Sequence, residues 1–145
     1  MVTVNSYITY NGNCEEAFLF YKSVFGGEFS YFGRFKEMPM PEGKIVSTED
    51  AEKIMHVSLP ISKETSLMGS DSFDSFGTKT IYGNNFSLSI NTESKEEADK
   101  LFNALSVGGK VGMPMEDAFW GAYFGTFTDK FGVNWMVNFE KNQGE

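Results

Sequence analysis

The chain has 145 residues, a length that suits one domain with its own hydrophobic core. Apolar residues make up 41% and charged residues 22% of the chain, which argues against a disordered, collagen-like or coiled-coil protein. The formal net charge of −8 disfavours a nucleic-acid groove or an anionic-membrane surface, so we expect neither nucleic acid nor membrane as a partner. One cysteine and one histidine exclude an intramolecular disulfide, a cysteine-based zinc cluster and a two-histidine metal site.

No export or membrane segment is visible. Residues 1–13 lack a basic start followed by an apolar stretch. The longest unbroken apolar run is Ala17–Tyr21, far short of the ~20 residues that a membrane helix needs. We therefore expect a cytoplasmic protein.

The sequence contains an internal repeat. Glu-Glu-Ala at 15–17 recurs at 96–98, and each copy opens a stretch whose apolar residues follow the i, i+3, i+4, i+7 spacing of one helix face. Glycine pairs at 26–27 and 108–109 are expected to end these two helices. The pattern predicts one amphipathic helix in each half of the chain.

Capping boxes are expected at the start of both helices. Asn13 lies three residues before Glu16, and Ser94 lies three residues before Glu97. A second repeated motif, Met-Pro-Met at 38–40 and 113–115, is interpreted as a strand-end turn with methionines packing on the adjacent sheet. The alternative is a flexible, methionine-lined ligand entrance.

Each half is predicted to contain a strand, its helix and three further strands. The predicted strands are, in chain order, Val2–Tyr10, Glu28–Phe35, Ile54–Ile61, Thr65–Ser70, Asn85–Asn91, Lys110–Met113, Gly121–Thr128 and Val133–Phe139. Residues 36–53 form an insertion with a short helix beginning at Ser47. Residues 1–70 form the first module, 71–84 a link, 85–141 the second module and 142–145 a tail, together making one functional domain.

The expected fold is α+β, with two βαβββ modules. One helix covers only one face of a four-stranded sheet, so the other face needs a partner, which the second module can supply. Two half-sheets facing each other would form a cupped, incomplete barrel. Its concave side, the cup, is where a small molecule would bind.

This duplication resembles the vicinal oxygen chelate superfamily, which includes glyoxalases, bleomycin-resistance proteins and extradiol dioxygenases. It is most similar to the PhnB-like branch, often labelled 3-demethylubiquinone-9 3-methyltransferase. The segments that carry the resemblance span almost the whole chain and are Asn11–Ala17, Phe20–Tyr21, His56–Leu59, Leu67–Asp71, Asn85–Ser89, Phe119–Gly125 and Asp129–Trp135. The resemblance implies a glyoxalase-like fold and a homodimer.

The resemblance also locates the metal ligands of metal-using members, at Ser6 and near Met68, Asn85 and Met136. Serine and asparagine are weak neutral oxygen donors, and methionine suits only soft ions, so we expect no conventional metal centre and no cofactor. The methyltransferase label is judged improbable, because no glycine-rich loop leads from a strand into a helix.

Several residues allow both a functional and a structural interpretation. His56 is a candidate catalytic or ligand-binding residue, or a satisfied structural imidazole. Cys14 lies in a helix first turn, but the neighbouring Glu15 and Glu16 oppose a thiolate. The candidate ligand-binding residues are Ser6, His56, Ser58, Met68, Asn85, Ser87, Trp120, Tyr123, Trp135 and Met136. The carboxylates predicted on loops, which either bind a cation or solvate the surface, are Asp71, Asp74, Glu116 and Asp117.

Three functions remain open. The leading hypothesis is a protein that binds a small aromatic or amphipathic molecule in the cup without a conventional metal. The main alternative is a metal-dependent lyase, isomerase or dioxygenase with a displaced site around His56. The third is an interaction module whose cup is filled by its own side chains.

Overall fold

Two successive copies of one strand–helix–three-strand unit make up the chain. The computed structural model describes residues 2–39, 46–72 and 79–141. Contacts between Cα atoms divide the chain into Met1–Ile81 and Tyr82–Glu145, a boundary inside the stretch 71–84. Met40, Asp74 and residues 142–145 lie outside the described residues.

The first unit contains a four-stranded sheet. Its elements are β1 (Ser6–Tyr10), α1 (Cys14–Phe25), β2 (Tyr31–Arg34), a 3-10 helix (Phe35–Glu37), α2 (Thr48–Ala51), β3 (Ile54–Pro60) and β4 (Ser66–Asp71). The strand order is β1-β4-β3-β2, with β1 parallel to β4 and the other pairs antiparallel. The short helix predicted to begin at Ser47 is confirmed, because the Ser47 side chain caps α2.

The second unit repeats this topology. Its elements are β5 (Leu88–Asn91), α3 (Lys95–Leu105), β6 (Lys110–Asp117), β7 (Ala122–Thr128) and β8 (Asn134–Glu140). The strand order is β5-β8-β7-β6, again with one parallel pair, β5 with β8. The predicted α+β class with two βαβββ modules is confirmed.

In the first unit, α1 packs on one face of the sheet. Phe18 and Tyr21 of α1 are fully buried, as are Val57 and Leu59 of β3. A Cβ atom at Gly69 would lie 2.7 Å from the Phe18 ring, so the absence of a side chain there lets α1 approach β4. Because side chains alternate along a strand, the residues between these positions lie on the opposite face, which we call the open face.

The two helices begin differently. Ser94 accepts a hydrogen bond from the Glu97 backbone, so the second capping box is confirmed. The first is wrong, since Asn13 makes no capping hydrogen bond. Asp71 replaces it, and its Oδ1 accepts hydrogen bonds from Gly12 N and Cys14 N.

Strand β6, Lys110–Asp117, is longer than the predicted Lys110–Met113, and this length corrects two further predictions. Met113, Pro114 and Met115 lie inside this strand and not at a strand-end turn. The strand is at the sheet edge and its register shifts between Met113 and Glu116, which is where a proline is tolerated. Glu116 and Asp117 therefore lie on a strand, not on a loop.

Only the first of the two glycine pairs lies directly at the end of its helix. Gly26 takes the cap position after α1 with φ of 80°, as predicted. Helix α3 ends at Leu105 with Ser106 as its cap, before the second pair. Among the described residues, no helix is long and apolar enough to span a membrane.

Candidate functional site

The open face of the first sheet brings a histidine between two tyrosines. His56 lies on β3, Tyr31 on the neighbouring β2, and Tyr7 on β1, beyond β4. Tyr31 pairs with Ser58, and Tyr7 pairs with Met68, so all five side chains project from the same face. We call Tyr7, Tyr31, His56, Ser58 and Met68 the His56 face.

Both tyrosine rings contact the His56 ring. Tyr7 Oη lies 3.2 Å from Nδ1 of His56, and the two rings stack with centroids 5.6 Å apart at 20°. The Tyr31 ring centroid lies 5.4 Å from that of His56. Gly33 makes room for this arrangement, because a Cβ atom there would lie 2.9 Å from the Tyr31 ring. Tyr7 and Tyr31 remain 49% and 48% exposed, so their rings are available to a ligand.

Three polar groups of the His56 face have no hydrogen-bond partner within the described part of the chain. They are Nε2 of His56, the Ser58 hydroxyl and the Tyr31 hydroxyl, and Ser58 is only 9% exposed. The open-face positions of the four strands carry no charge. The arrangement combines aromatic rings with three hydrogen-bonding groups that have no described partner, which suits a planar ligand with a polar substituent.

The structure separates the predicted site residues of the first unit. His56, Ser58 and Met68 lie together on the open face. Ser6 does not join them, because it pairs with Leu67 and projects toward the face that α1 covers. Tyr7 and Tyr31 were missed by the sequence analysis. The alternation of Tyr7 with Ser6 and Ile8 was the signal that could have located Tyr7.

In the second unit, two predicted aromatic residues have structural roles. Trp135 is 3% exposed and its Nε1 donates to Asp129 Oδ2 at 2.8 Å. Tyr123 donates to Asp99 Oδ1 at 2.6 Å, and this hydrogen bond raises the pKa of Tyr123 to about 12. Because Gly125 faces Phe102 of α3, alternation places Tyr123 on the side of β7 that α3 covers.

The other predicted residues of the second unit are dispersed. Met136 lies on the sheet face that α3 does not cover, paired with Thr126 and Ser89. Asn85 and Ser87 are exposed and precede β5. Trp120 is 59% exposed and its ring contacts Phe124.

The four positions to which the resemblance assigns metal ligands carry weakly coordinating side chains. Ser6 and Met68 project from opposite faces of one sheet, and their side chains are weak donors to a hard divalent ion. The side chains of Asn85 and Met136 are equally weak donors to such an ion. Among the described residues, no three histidine, cysteine, aspartate or glutamate side chains group closely enough to hold an ion.

A cavity of about 410 Å³ lies at the end of β4 beside α1, away from the His56 face. Its charged groups largely pair with one another. Arg34 forms two hydrogen bonds with Glu15, at 2.8 and 2.9 Å, and Lys53 pairs with Asp50 at 2.9 Å. These groups stabilise the unit and leave little charge for a ligand.

Cys14 and Asp71 are both buried beside this cavity. Burial raises the pKa of the Cys14 thiol, so the group is inert as a nucleophile. Burial likewise raises the pKa of Asp71, while hydrogen bonds from three backbone N–H groups oppose that effect. Asp71 was predicted on a loop and is instead the buried last residue of β4.

Comparisons with known proteins agree with this fold. A family profile described as 3-demethylubiquinone-9 3-methyltransferase matches residues 3–138. Protein YjdN of Escherichia coli (strain K12) is 32% identical over 97% of both chains. The crystal structure of protein PA1353 from Pseudomonas aeruginosa is 41% identical, with a TM-score of 0.80 over 97% of this chain and 98% of that one. A glyoxalase/bleomycin resistance protein/dioxygenase family enzyme from Burkholderia phytofirmans PsJN shares the fold at 16% identity, with a TM-score of 0.58 over 94% and 99% of the two chains.

Proposed function

The chain belongs to the 3-demethylubiquinone-9 3-methyltransferase family, the PhnB-like branch of the glyoxalase superfamily, and we propose that it binds a small aromatic or amphipathic molecule at the His56 face. The observation that carries the proposal is the placement of His56 between the half-exposed rings of Tyr7 and Tyr31. Stacking on these rings would hold a planar ligand, and Nε2 of His56 would fix its orientation.

Binding is favoured over the methyl transfer that the family description names. Free backbone N–H groups at an uncapped helix N-terminus would provide one site for a methyl donor with an anionic group. At the start of α1, the Asp71 carboxylate already accepts a hydrogen bond from the backbone N–H of the first helical residue. At the start of α3, the side chains of Ser94 and Glu97 accept hydrogen bonds from backbone N–H groups. Glutamates in the first turn of both helices also oppose an anion.

The experiment is a thermal-unfolding screen with planar aromatic acids and phenols, 2-naphthoate and 4-hydroxybenzoate among them, in the presence of EDTA. A ligand at 100 times its Kd stabilises the folded state by about 2.7 kcal/mol, which gives a clear rise in Tm. His56→Ala and Tyr31→Ala should abolish the rise. Leu19→Ala is the matched control, because Leu19 is 50% exposed on α1 and lies away from the open face.

Two outcomes would contradict the proposal. One is a ligand response that the His56→Ala protein retains in full. The other is a response that EDTA removes and Zn²⁺ or Mn²⁺ restores, which would favour the metal-dependent enzyme with a displaced site around His56.

The same proposal includes a homodimer. Exposed apolar side chains cluster in sequence around β6 and the turn after it, where Val111 is 46%, Met113 55%, Phe119 98% and Trp120 59% exposed. Burying such groups between two copies would lower their exposure to water. Light scattering should give twice the 16.3 kDa of one chain, and Met113→Glu should halve the mass where Leu19→Glu does not. A mass of 16.3 kDa at all concentrations would contradict the homodimer.

A further inference from the structure

We propose that Tyr7 is a positioning residue that keeps the ring proton of His56 on Nε2, so that the His56 face selects ligands carrying an acceptor oxygen. This inference rests on the proposed function for its ligand and on the geometry of Tyr7 and His56 for its mechanism. The expected ligand class is a planar aromatic compound with a carboxylate or carbonyl group.

The contact between Tyr7 and His56 determines which imidazole nitrogen carries the proton. Tyr7 Oη and His56 Nδ1 lie 3.2 Å apart, so one of them carries the shared proton. A neutral imidazole has one donor nitrogen and one acceptor nitrogen. A phenol is a good donor, and its oxygen is a weaker acceptor than an imidazole nitrogen. The Tyr7 hydroxyl therefore donates to Nδ1, which leaves the ring proton on Nε2.

No open-face carboxylate on the four strands competes with Tyr7 for Nδ1 of His56. The open-face neighbours of His56 on the four strands are uncharged, so no carboxylate there draws the proton back to Nδ1. Tyr7 stacks nearly parallel to the imidazole, at 20°, and Tyr31 lies beside it. These contacts restrict the rotation that would exchange the two nitrogens.

The proton on Nε2 determines which polar group a ligand must carry. With Nε2 as a donor and no described partner for it, the polar atom that completes the site is an acceptor. The Ser58 hydroxyl, two residues along β3 on the same face, can donate to a second oxygen. A carboxylate on an aromatic ring presents two acceptor oxygens next to a surface that can stack.

The tautomer can be measured on the protein without a ligand. The chain has one histidine, so ¹⁵N-detected imidazole spectra at about pH 9, well above the histidine pKa of a model peptide, contain a single ring system. We expect Nδ1 to resonate as the unprotonated nitrogen and Nε2 as the protonated one. Tyr7→Phe should move both shifts toward the average of the two tautomers. Tyr31→Phe keeps both rings and the Tyr7 hydroxyl, so its spectrum should match that of the original chain.

A protonated Nδ1 in the original chain, or an unchanged spectrum in Tyr7→Phe, would overturn the assignment. Neither outcome depends on a ligand, so this result is separate from the fate of the proposed function. Binding of the Tyr7→Phe protein to hydrophobic probes should persist, because the ring is retained.

Ligand selectivity is tested with a matched pair, 2-naphthoate and 2-naphthylmethylammonium. We expect 2-naphthoate to bind at least about tenfold more tightly, because only it offers acceptors to Nε2 and Ser58. The net charge of −8 favours the cation by itself, so this preference would report on the local donors. In Tyr7→Phe the preference should fall several-fold.

Tighter binding of the ammonium probe would overturn the inference about the ligand class. Binding of neither probe would contradict the proposed function, while the imidazole spectra would still decide the role of Tyr7.

Discussion

The carboxylate of Asp71, at the end of β4, accepts a hydrogen bond of 2.9 Å from the backbone N–H of Cys14, the first residue of α1. The same oxygen accepts from Gly12 N at 3.0 Å, and Oδ2 accepts from Ile54 N at 2.9 Å. Asp71 is 4% exposed. One buried side chain thus joins the start of the helix to two strands, and it fixes the sheet that carries the His56 face.

Replacing this carboxylate should destabilise the first unit. Asp71→Asn keeps one acceptor oxygen but places an NH₂ group against a backbone N–H, which leaves a buried donor unsatisfied. We expect a loss of about 1–3 kcal/mol in the free energy of unfolding, measured with urea. Asp117→Asn is the control, because its carboxylate is 54% exposed, and it should have a much smaller effect. Equal losses in the two variants would refute this role of Asp71.

The two helix starts provide a second test. Ser94→Ala removes the hydroxyl that accepts from Glu97 N and should cost about 1 kcal/mol of stability. Asn13→Ala should cost nothing or be stabilising, because Oδ1 of Asn13 is buried without a hydrogen-bond partner among the described residues. The urea concentration at the midpoint of unfolding is measured for both variants and compared with that of the original chain. A clear loss of stability in Asn13→Ala would show that Asn13 caps α1 after all.

This pair of helices also shows how far the sequence could predict the fold. The repeat at 15–17 and 96–98 located both helices, since the i, i+3, i+4 spacing depends only on nearby residues. The cap of α1 could not be predicted, because its acceptor, Asp71, is 57 positions from Cys14. The length of β6 was missed as well, since a proline inside a strand is tolerated only at an edge, and edge position depends on the whole sheet.

The contact between α1 and β4 predicts a strong effect of a single methyl group. Gly69→Ala would place Cβ 2.7 Å from both the Ile8 carbonyl oxygen and the Phe18 ring. The backbone oxygen cannot move without disturbing the pairing of β1 with β4, so we expect a loss of about 1–3 kcal/mol. Gly83→Ala is the control, because its nearest atom would be 3.7 Å away. Calorimetry should show a lower Tm for the first variant only.

The pair of Glu15 and Arg34 predicts a pH dependence of stability. The hydrogen bonds from Arg34 lower the pKa of Glu15 below its ordinary value. Such a group stabilises the folded state above the pKa of the unfolded chain, about 4.3, and this contribution is lost as pH falls through the lower folded value. Because Glu15 is 43% exposed, we expect about 1 kcal/mol or less at pH 7.

The measurement compares Glu15→Gln with the original chain by urea unfolding between about pH 7 and pH 3. The original chain should be more stable at neutral pH, and the difference should shrink on acidification. Glu16→Gln controls for net charge, because Glu16 makes no ion pair with a described residue. If the stability advantage of the original chain over Glu15→Gln grew as pH fell, the ion pair would not be the cause of that advantage.

The candidate site was only partly predictable. His56, Ser58 and Met68 could be placed on strands from alternation, and the structure puts them on one face. Alternation could place Tyr7 on one side of β1, but its contact with His56 could not be predicted, because Tyr7 reaches His56 across β4 and strand order is not a local property. Trp135 looked equally suitable for a ligand, but its hydrogen bond to Asp129 and its burial depend on packing against α3.

The most direct test of the central claim is a titration with 2-naphthoate followed by amide and imidazole NMR. The account predicts saturable shifts at His56, Tyr7 and Tyr31, present with EDTA and absent in His56→Ala. Shifts confined to the cavity beside Arg34 and Lys53, or shifts at the His56 face that never saturate, would contradict it.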